Sequence, residues 1–130
     1  MRFALLVNAS PHAGQSQDTA FRFAEAALAA GHTILRVFFY RDGVLAGSRL
    51  PTLPSDEVDV GARWARWGRE HGVELIVCVA AALRRGVLDA AEAERWERQG
   101  ENLAEGFELS GLGQLVEALI EADRVVEFGA

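Results

Sequence analysis

Lysine is absent from this sequence, and cysteine occurs only once, at position 78. Without lysine the chain has no Schiff-base amine and no lysine for a phosphate-binding loop. A single cysteine forms no internal disulfide and supplies no paired thiolates for a typical zinc site. Histidine is also scarce, and the three residues His12, His32 and His71 fall in different parts of the chain. We therefore expect no metal site and no lysine-based catalysis.

Long hydrophobic runs are missing as well. The first apolar run ends before Asn8, which is shorter than the core of a signal peptide, and no later run reaches membrane-spanning length. The lack of cysteine pairs fits a reducing compartment. We expect a cytoplasmic protein without membrane contact. Its 130 residues, half of them hydrophobic, predict a single domain over 1–130 with a substantial core.

Signatures of nucleotide and nucleic-acid binding are lacking too. The formal net charge of −6 disfavours direct contact with nucleic acid, because that binding depends on neutralising phosphates. Neither GxxxxGK(S/T) nor GxGxxG is present. The segment 8–16 is turn-rich, as phosphate-binding loops are, but Pro11 removes one of its amides. We expect no cofactor, and a flavodoxin-like cofactor binder stays as an alternative.

Short apolar runs alternate with amphipathic segments along the chain. The predicted strands are 3–7, 32–40, 73–79, 107–109 and 124–128, and the predicted helices are 17–30, 56–71, 80–86, 89–98 and 112–121. Ser55 is the expected cap of the second helix. This alternation predicts a three-layer α/β fold, with a five-stranded, mostly parallel sheet and helices on both faces. The expected strand order is the flavodoxin-like 2-1-3-4-5.

Two further segments allow more than one interpretation. The segment 41–57, with Pro51 and Pro54, is predicted to be irregular, and it serves either as a lid or partner contact or as a plain surface loop. Trp64 and Trp67 share a predicted helix face with Val60 and His71. That face either packs in the core or forms a subunit interface.

Cys78 stands at the predicted carboxyl end of the third strand, where a helix begins. Ligands bind at this edge of parallel α/β sheets. The helix N-terminus and the nearby Arg84 and Arg85 are expected to favour a thiolate. The alternative role of the two arginines is to recognise an acidic carrier. With strand one beside strand three, the loop 8–16 would bring Ser10 and His12 to the thiol. The alternative is that Cys78 is buried packing, since single cysteines commonly are.

The residues around Cys78 limit the chemistry that it could perform. A Cys–His hydrolase would need His12 at the thiol and a third group to orient it, and no orienting acid is marked. Sulfur transfer needs less. A thiolate takes the outer sulfur of a donor persulfide and passes it to another thiolate, without metal, nucleotide or base. One accessible cysteine is sufficient for that reaction.

Several segments resemble the DsrE/TusD family of sulfurtransferase subunits, and the likeness covers nearly the whole chain. They are 37–44 (VFFYRDGV), 78–87 (CVAAALRRGV), 106–113 (GFELSGLG), the start 2–7 and the end 123–126. The segment at Cys78 is the most specific, because a cysteine there separates sulfur-transferring members from relatives that lack it. The resemblance implies that Cys78 is the catalytic, persulfide-carrying residue.

The family also implies partners and a pathway. The resemblance implies that this chain is one subunit of a cytosolic α2β2γ2 heterohexamer, together with DsrF- and DsrH-like (TusC- and TusB-like) subunits. The complex hands sulfur to a small DsrC- or TusE-like carrier protein. One branch serves dissimilatory sulfur oxidation and the other 2-thiolation of the tRNA wobble uridine. The segments 8–16 and 64–67 depart from the tRNA branch and favour sulfur oxidation. A non-catalytic scaffolding subunit is the further alternative.

Overall fold

The structure is a computed structural model that describes residues 1–129, so the predicted domain end at Ala130 lies outside the described residues. Its strands are β1 Arg2–Val7, β2 Thr33–Phe39, β3 Glu74–Cys78, β4 Phe107–Ser110 and β5 Arg124–Phe128. Its α-helices are α1 Ser16–Ala29, α2 Val60–His71, α3 Val79–Arg84, α4 Ala90–Arg95 and α5 Gly113–Glu121, with a 3-10 helix at Arg41–Gly47. Within residues 1–129 no helix has the length and hydrophobicity needed to cross a bilayer.

The five strands form one sheet in which every pair is parallel, and helices cover both of its faces. Phe3 and Phe39 face α1 and α2, since their rings pack against Phe23 and Trp64 respectively. On the opposite face Arg36 donates to the carbonyl of Gln114 in α5. The predicted α/β class and layering are therefore confirmed.

The strand order along the sheet is β4-β3-β2-β1-β5, which differs from the predicted 2-1-3-4-5 in two neighbours. β2 lies between β1 and β3, and β5 pairs with β1 instead of β4. Val37, Phe38 and Phe39 are all buried, so both faces of β2 are covered, as an interior strand requires. Arg36 fits this interior strand because it pairs with Glu74 on β3, 2.9 Å away.

An aromatic cluster fills the layer between α1, α2 and the sheet. Trp64 is fully buried and packs edge-to-face against Phe21, Phe39 and Trp67, with ring centroids 5.1–5.6 Å apart. Its indole N–H donates to Gln17 Oε1 over 3.2 Å, which satisfies a buried polar pair. The two tryptophans of α2 therefore belong to the core.

Helix α2 begins four residues later than the sequence predicts. Asp59, and not Ser55, is its N-cap: the carboxylate accepts from the backbone N–H of Ala62 at 3.0 Å. Gly61, in the first turn, packs directly on the carbonyl of Ala46, and a Cβ there would overlap that oxygen. This close approach fixes where the helix can start.

The segment 41–57 was predicted to be irregular, and this is wrong for its first part, which forms the 3-10 helix Arg41–Gly47. Gly43 has no room for a side chain because a Cβ would overlap the carbonyl oxygen of Val7. The 3-10 helix is thereby held against the carboxyl end of β1.

Helix α5 leaves most of its apolar residues in solvent. Ala118 is buried and Leu115 is partly buried. The helix and its first flanking residue expose Leu112, Val116, Leu119 and Ile120. These four residues, called the α5 patch below, form an apolar surface that the chain itself does not cover.

Candidate active site at Cys78

Cys78 is the last residue of β3 and the N-cap of α3. It lies directly opposite Ser110 in the parallel pair of β3 with β4. Its backbone leaves the strand at φ −60° and ψ 120°, and Val79 starts the helix at once. The strand thus ends one residue before the predicted Val79, and the cysteine stands at the carboxyl edge of the sheet, as expected.

The thiol is buried in this chain. Cys78 is only 2% exposed and forms part of the hydrophobic core with Ala81 and Ala82 of α3. The sequence-based mechanism assumed an accessible cysteine. Any attack on a donor therefore requires a local opening of the structure around Cys78, or a rearrangement when a partner binds.

A row of polar side chains crosses the sheet at the level of Cys78. Phe39, the last residue of β2, pairs with Val77, so Tyr40, which follows the strand, lies at the level of Cys78. Asn8 follows β1 and is buried; its Nδ2 donates to Glu127 Oε1 over 2.6 Å. Its Oδ1 has no partner among residues 1–129. Side-chain alternation directs Asn8, Tyr40 and Cys78 to the face that carries α5.

The 3-10 helix packs against α3. Asp42 on the 3-10 helix accepts from Arg85 Nε at 2.7 Å, and Arg85 Nη1 also donates to the carbonyl of Ala81. The preceding residue, Arg41, adopts a left-handed backbone with φ 49°. Non-glycine residues in this region store backbone strain, which is held here by the packing on either side.

The predicted neighbours Ser10 and His12 lie elsewhere. Because β2 separates β1 from β3, the loop 8–16 is not next to Cys78, and the 3-10 helix takes that place. Ser10 Oγ accepts from the backbone N–H of His12, and His12 itself lines a cavity of about 420 Å³ with residues of 45–61. Cys78 does not line that cavity. The geometry therefore gives no support to a Cys–His pair.

The two arginines after Cys78 differ in their surroundings. Arg85 is held by Asp42, whereas Arg84 is exposed and lines a groove with Trp96 and Arg98. Sequence reasoning did not single out Trp96 or Arg98. The sequence feature that could have indicated an exposed binding surface is a tryptophan surrounded by charged residues in 94–98. A large aromatic side chain in such a segment is not expected in a hydrophobic core. Among the described residues no three His, Cys, Asp or Glu side chains are grouped as metal ligands would be.

Comparison with known proteins places the chain in a family. A family model described as DsrE/DsrF-like matches residues 1–128. A protein of Allochromatium vinosum named "Putative sulfurtransferase DsrE" is 50% identical over 129 residues, which make up 99% of each chain. Sulfurtransferase TusD of Erwinia tasmaniensis is 50% identical over 128 residues, or 98% of this chain and all of that one. A TusD homologue of Pseudomonas aeruginosa is 51% identical over 129 residues, or 99% of this chain and 98% of that one.

A solved structure has the same fold. The crystal structure of the ychN protein of E. coli matches with a TM-score of 0.77 and covers 98% of this chain and 99% of its own. At 21% identity, this likeness concerns the fold alone.

The expected family and enzyme class are confirmed by these matches, which extend over nearly the whole chain. The role of individual residues is a separate question. The chain is a sulfurtransferase and belongs to the DsrE/DsrF-like family.

Proposed function

We propose that Cys78 carries sulfur as a persulfide and passes it to a small DsrC- or TusE-like carrier in an intracellular relay. The observation that carries the proposal is the position of the chain's only cysteine. It ends an interior strand at the carboxyl edge of the sheet, in a chain about half identical to named sulfurtransferases. Functional groups of parallel α/β proteins collect at that edge.

The reaction proceeds in two displacements. The Cys78 thiolate attacks the outer sulfur of a donor persulfide, R–S–SH. An S–S bond to Cys78 forms, the S–S bond of the donor breaks, and R–S⁻ leaves. An acceptor thiolate then attacks the outer sulfur of Cys78–S–SH, takes it as its own persulfide and releases the Cys78 thiolate. The two steps balance without an external oxidant, because the sulfur moves between thiols at constant oxidation state.

Assembly with other subunits is the second part of the proposal. The DsrE and TusD names belong to multi-subunit sulfur relays, and we propose an α2β2γ2 complex with DsrF- and DsrH-like (TusC- and TusB-like) chains in the cytoplasm. The α5 patch supports this, because contiguous exposed apolar residues are typical of protein interfaces. Residues 1–130 act in it as a single domain that contacts neither nucleic acid nor membrane.

The pathway is proposed to be dissimilatory sulfur oxidation, with tRNA wobble 2-thiolation as the alternative. The relatives do not separate these branches, since the DsrE protein is 50% identical and the two TusD proteins 50% and 51%. Deleting the gene distinguishes them. Loss of sulfur oxidation with unchanged tRNA supports the first branch, and loss of wobble 2-thiouridine supports the second.

The burial of Cys78 favours one other role. Cys78 is 2% exposed, which is also expected of a cysteine that only packs in the core. The chain would then be a scaffolding subunit, and its partner chains would carry the sulfur. In that case Cys78→Ala would leave sulfur transfer by the assembled complex intact. In the proposed role the same substitution abolishes it.

Intact mass measurement tests the loading step. The purified chain and the co-purified complex are incubated with a sulfane-sulfur donor, beside Cys78→Ala as the control. A gain of about 32 Da, one sulfur atom, that is removed by reductant and absent from the variant is expected. If neither the chain nor the complex gains sulfur on this subunit, the proposal fails.

A further inference from the structure

A groove of about 390 Å³ lies beside the C-terminal end of α3, on the side facing the end of α4. Its lining residues are Leu83, Arg84, Gly86, Leu88, Trp96 and Arg98. The two leucines supply apolar walls, and the tryptophan and the two arginines form its exposed rim. Nothing in the proposed sulfur chemistry uses this groove.

Both helices that border the groove end in the same way. After α3, Gly86 is left-handed at φ 74°, and Val87 N–H bonds back to the carbonyl of Ala82. After α4, Glu97 is left-handed at φ 53°, and Arg98 N–H bonds back to the carbonyl of Ala93. Such caps reverse the chain sharply. They set the backbone positions of Gly86 and Arg98, one on each side of the groove.

One amide side chain fixes the floor of the groove. Asn102 Oδ1 accepts from Leu88 N–H at 2.7 Å, and its Nδ2 donates to the Gly86 carbonyl at 2.8 Å. The backbone of Asn102 also donates to the Leu88 carbonyl at 2.9 Å. Asn102 therefore makes three hydrogen bonds to the segment from Gly86 to Leu88, and the groove is built before any partner arrives.

The rim of the groove is positively charged and aromatic. Arg84 and Arg98 are exposed and have no ion pair among residues 1–129, although the chain has a net charge of −6. Trp96 is 51% exposed, and its indole N–H is bound to Glu92 Oε2 at 2.9 Å, which orients the ring. Exposed tryptophan and arginine are enriched at the energetic centres of protein interfaces.

We infer that this groove docks an acidic segment carrying one large apolar side chain, on the protein that takes sulfur from Cys78. The inference rests on the proposed function. Acidic side chains complement Arg84 and Arg98, and the apolar side chain packs on Trp96 and the leucines.

The distance to Cys78 suits this role. Arg84 is six residues after Cys78 along α3, which is about 9 Å along the helix axis. About three extended residues span that length. An acceptor whose cysteine lies about three residues from its acidic anchor therefore spans this distance while docked, and it reaches the thiol once local opening exposes Cys78.

The test uses the full chain and two synthetic peptides. One peptide contains a cysteine three residues from a Glu-Leu-Glu anchor, and the other replaces both glutamates by glutamine. Binding is measured by the fluorescence anisotropy of a dye on the end of each peptide away from the anchor, so the same readout serves the variant without Trp96. Transfer is measured as the rate at which each peptide takes sulfur from the persulfide-loaded chain.

The variants separate the groove from the thiol. Arg84→Glu combined with Arg98→Glu reverses the rim charge, and Trp96→Ala removes the exposed ring. Arg66→Glu on α2 is the matched control, because Arg66 is also exposed and lacks an ion pair among the described residues. Loading of Cys78 by a small sulfane donor is measured in every variant.

We expect the charge reversal to slow transfer to the acidic peptide by about tenfold, and Trp96→Ala to weaken its binding comparably. Arg66→Glu, loading of Cys78 and transfer to the glutamine peptide should not change. Equal transfer to both peptides in the parent chain, or equal rates in parent and charge-reversed chain, overturns the inference while Cys78 still loads. Failure of loading in the parent chain and in the complex overturns the proposed function itself.

Discussion

Arg85, the C-cap of α3, and Asp42 on the 3-10 helix form a hydrogen-bonded ion pair, with Nε and Oδ1 2.7 Å apart. The pair joins the two elements that meet at the carboxyl edge beside Cys78. It also explains why adjacent arginines have different roles: Arg85 holds α3 in place, and Arg84 stays free for the groove.

Breaking this pair should make Cys78 more reactive. Asp42→Ala removes one contact that holds α3 against the 3-10 helix, so local opening around the thiol becomes more frequent. Because Asp42 is 57% exposed, the pair contributes no more than about 1 kcal/mol, and alkylation of Cys78 by iodoacetamide should accelerate by at most about fivefold. Labelling kinetics followed by intact mass give the rates.

A double-mutant cycle isolates the contribution of the pair itself. Arg85→Ala also loses the hydrogen bond to the Ala81 carbonyl, so it should react at least as fast as Asp42→Ala. Adding Asp42→Ala to Arg85→Ala should bring no further increase, because the ion pair is already absent. Unchanged alkylation in all three variants would show that the opening which exposes Cys78 does not involve this contact.

Trp64→Phe should be far more destabilising than Trp96→Phe. The first change leaves a cavity in the core and removes the donor of buried Gln17 Oε1, at a cost of roughly 2–4 kcal/mol. The second alters an exposed ring and should change stability by less than about 0.5 kcal/mol. Urea unfolding gives both values, and equal destabilisation would contradict the core assignment.

Glu97→Gly should stabilise the chain. Glu97 ends α4 at φ 53°, where a side chain is strained and glycine is not. Relief of this strain exceeds the extra freedom of glycine in the unfolded chain, and a gain of about 0.5–1 kcal/mol is expected. Thermal unfolding measures it. Glu94→Gly, inside the same helix, is the control and should destabilise.

Asp18 should stabilise the folded chain at neutral pH and lose this contribution in acid. The hydrogen bond from Arg63, together with the charge of Arg22, holds the pKa of Asp18 below its ordinary value of 3.8. A carboxyl whose pKa is lower in the folded than in the unfolded state stabilises above the unfolded value. That contribution disappears as pH falls through the folded value. The Tm of the parent should therefore be higher than that of Asp18→Asn at pH 7. The difference should shrink towards zero as the pH falls below 3.8.

The partner of Asp18 supplies the control. In an Arg63→Gln background the larger cause of the shift is absent, so Asp18→Asn should lower Tm by less at pH 7. A difference in Tm that is independent of both pH and Arg63 would contradict this assignment.

The elements of the fold were largely readable from the sequence, because each depends on local patterning. Strand 73–79 and the tryptophan face of α2 are examples, since runs and periods report burial directly. The start of α2 was missed because two residues could cap it, and the contact of Gly61 with Ala46, distant in sequence, decides between them.

Sheet order was not readable in the same way. Right-handed crossovers are compatible with both 2-1-3-4-5 and the observed order, so helix and strand patterns do not choose between them. The strand order depends on contacts between strands, such as the ion pair of Arg36 with Glu74. Such contacts between residues distant in sequence are seen only in the three-dimensional structure. The consequence for the site was direct: His12 was expected at Cys78, and the 3-10 helix lies there instead. The cysteine's place at the strand end, in contrast, followed from local sequence.

The central claim, that Cys78 relays sulfur, is tested most directly by a single-turnover transfer. The chain is loaded once with sulfur, freed of donor and mixed with a carrier protein bearing one thiol, and both intact masses are followed in time. The account predicts that the chain loses one sulfur, about 32 Da, at the rate at which the carrier gains it, with no transfer from Cys78→Ala. A carrier that gains no sulfur from the loaded chain or its complex, or that gains it equally fast with Cys78→Ala when donor is present, would contradict the claim.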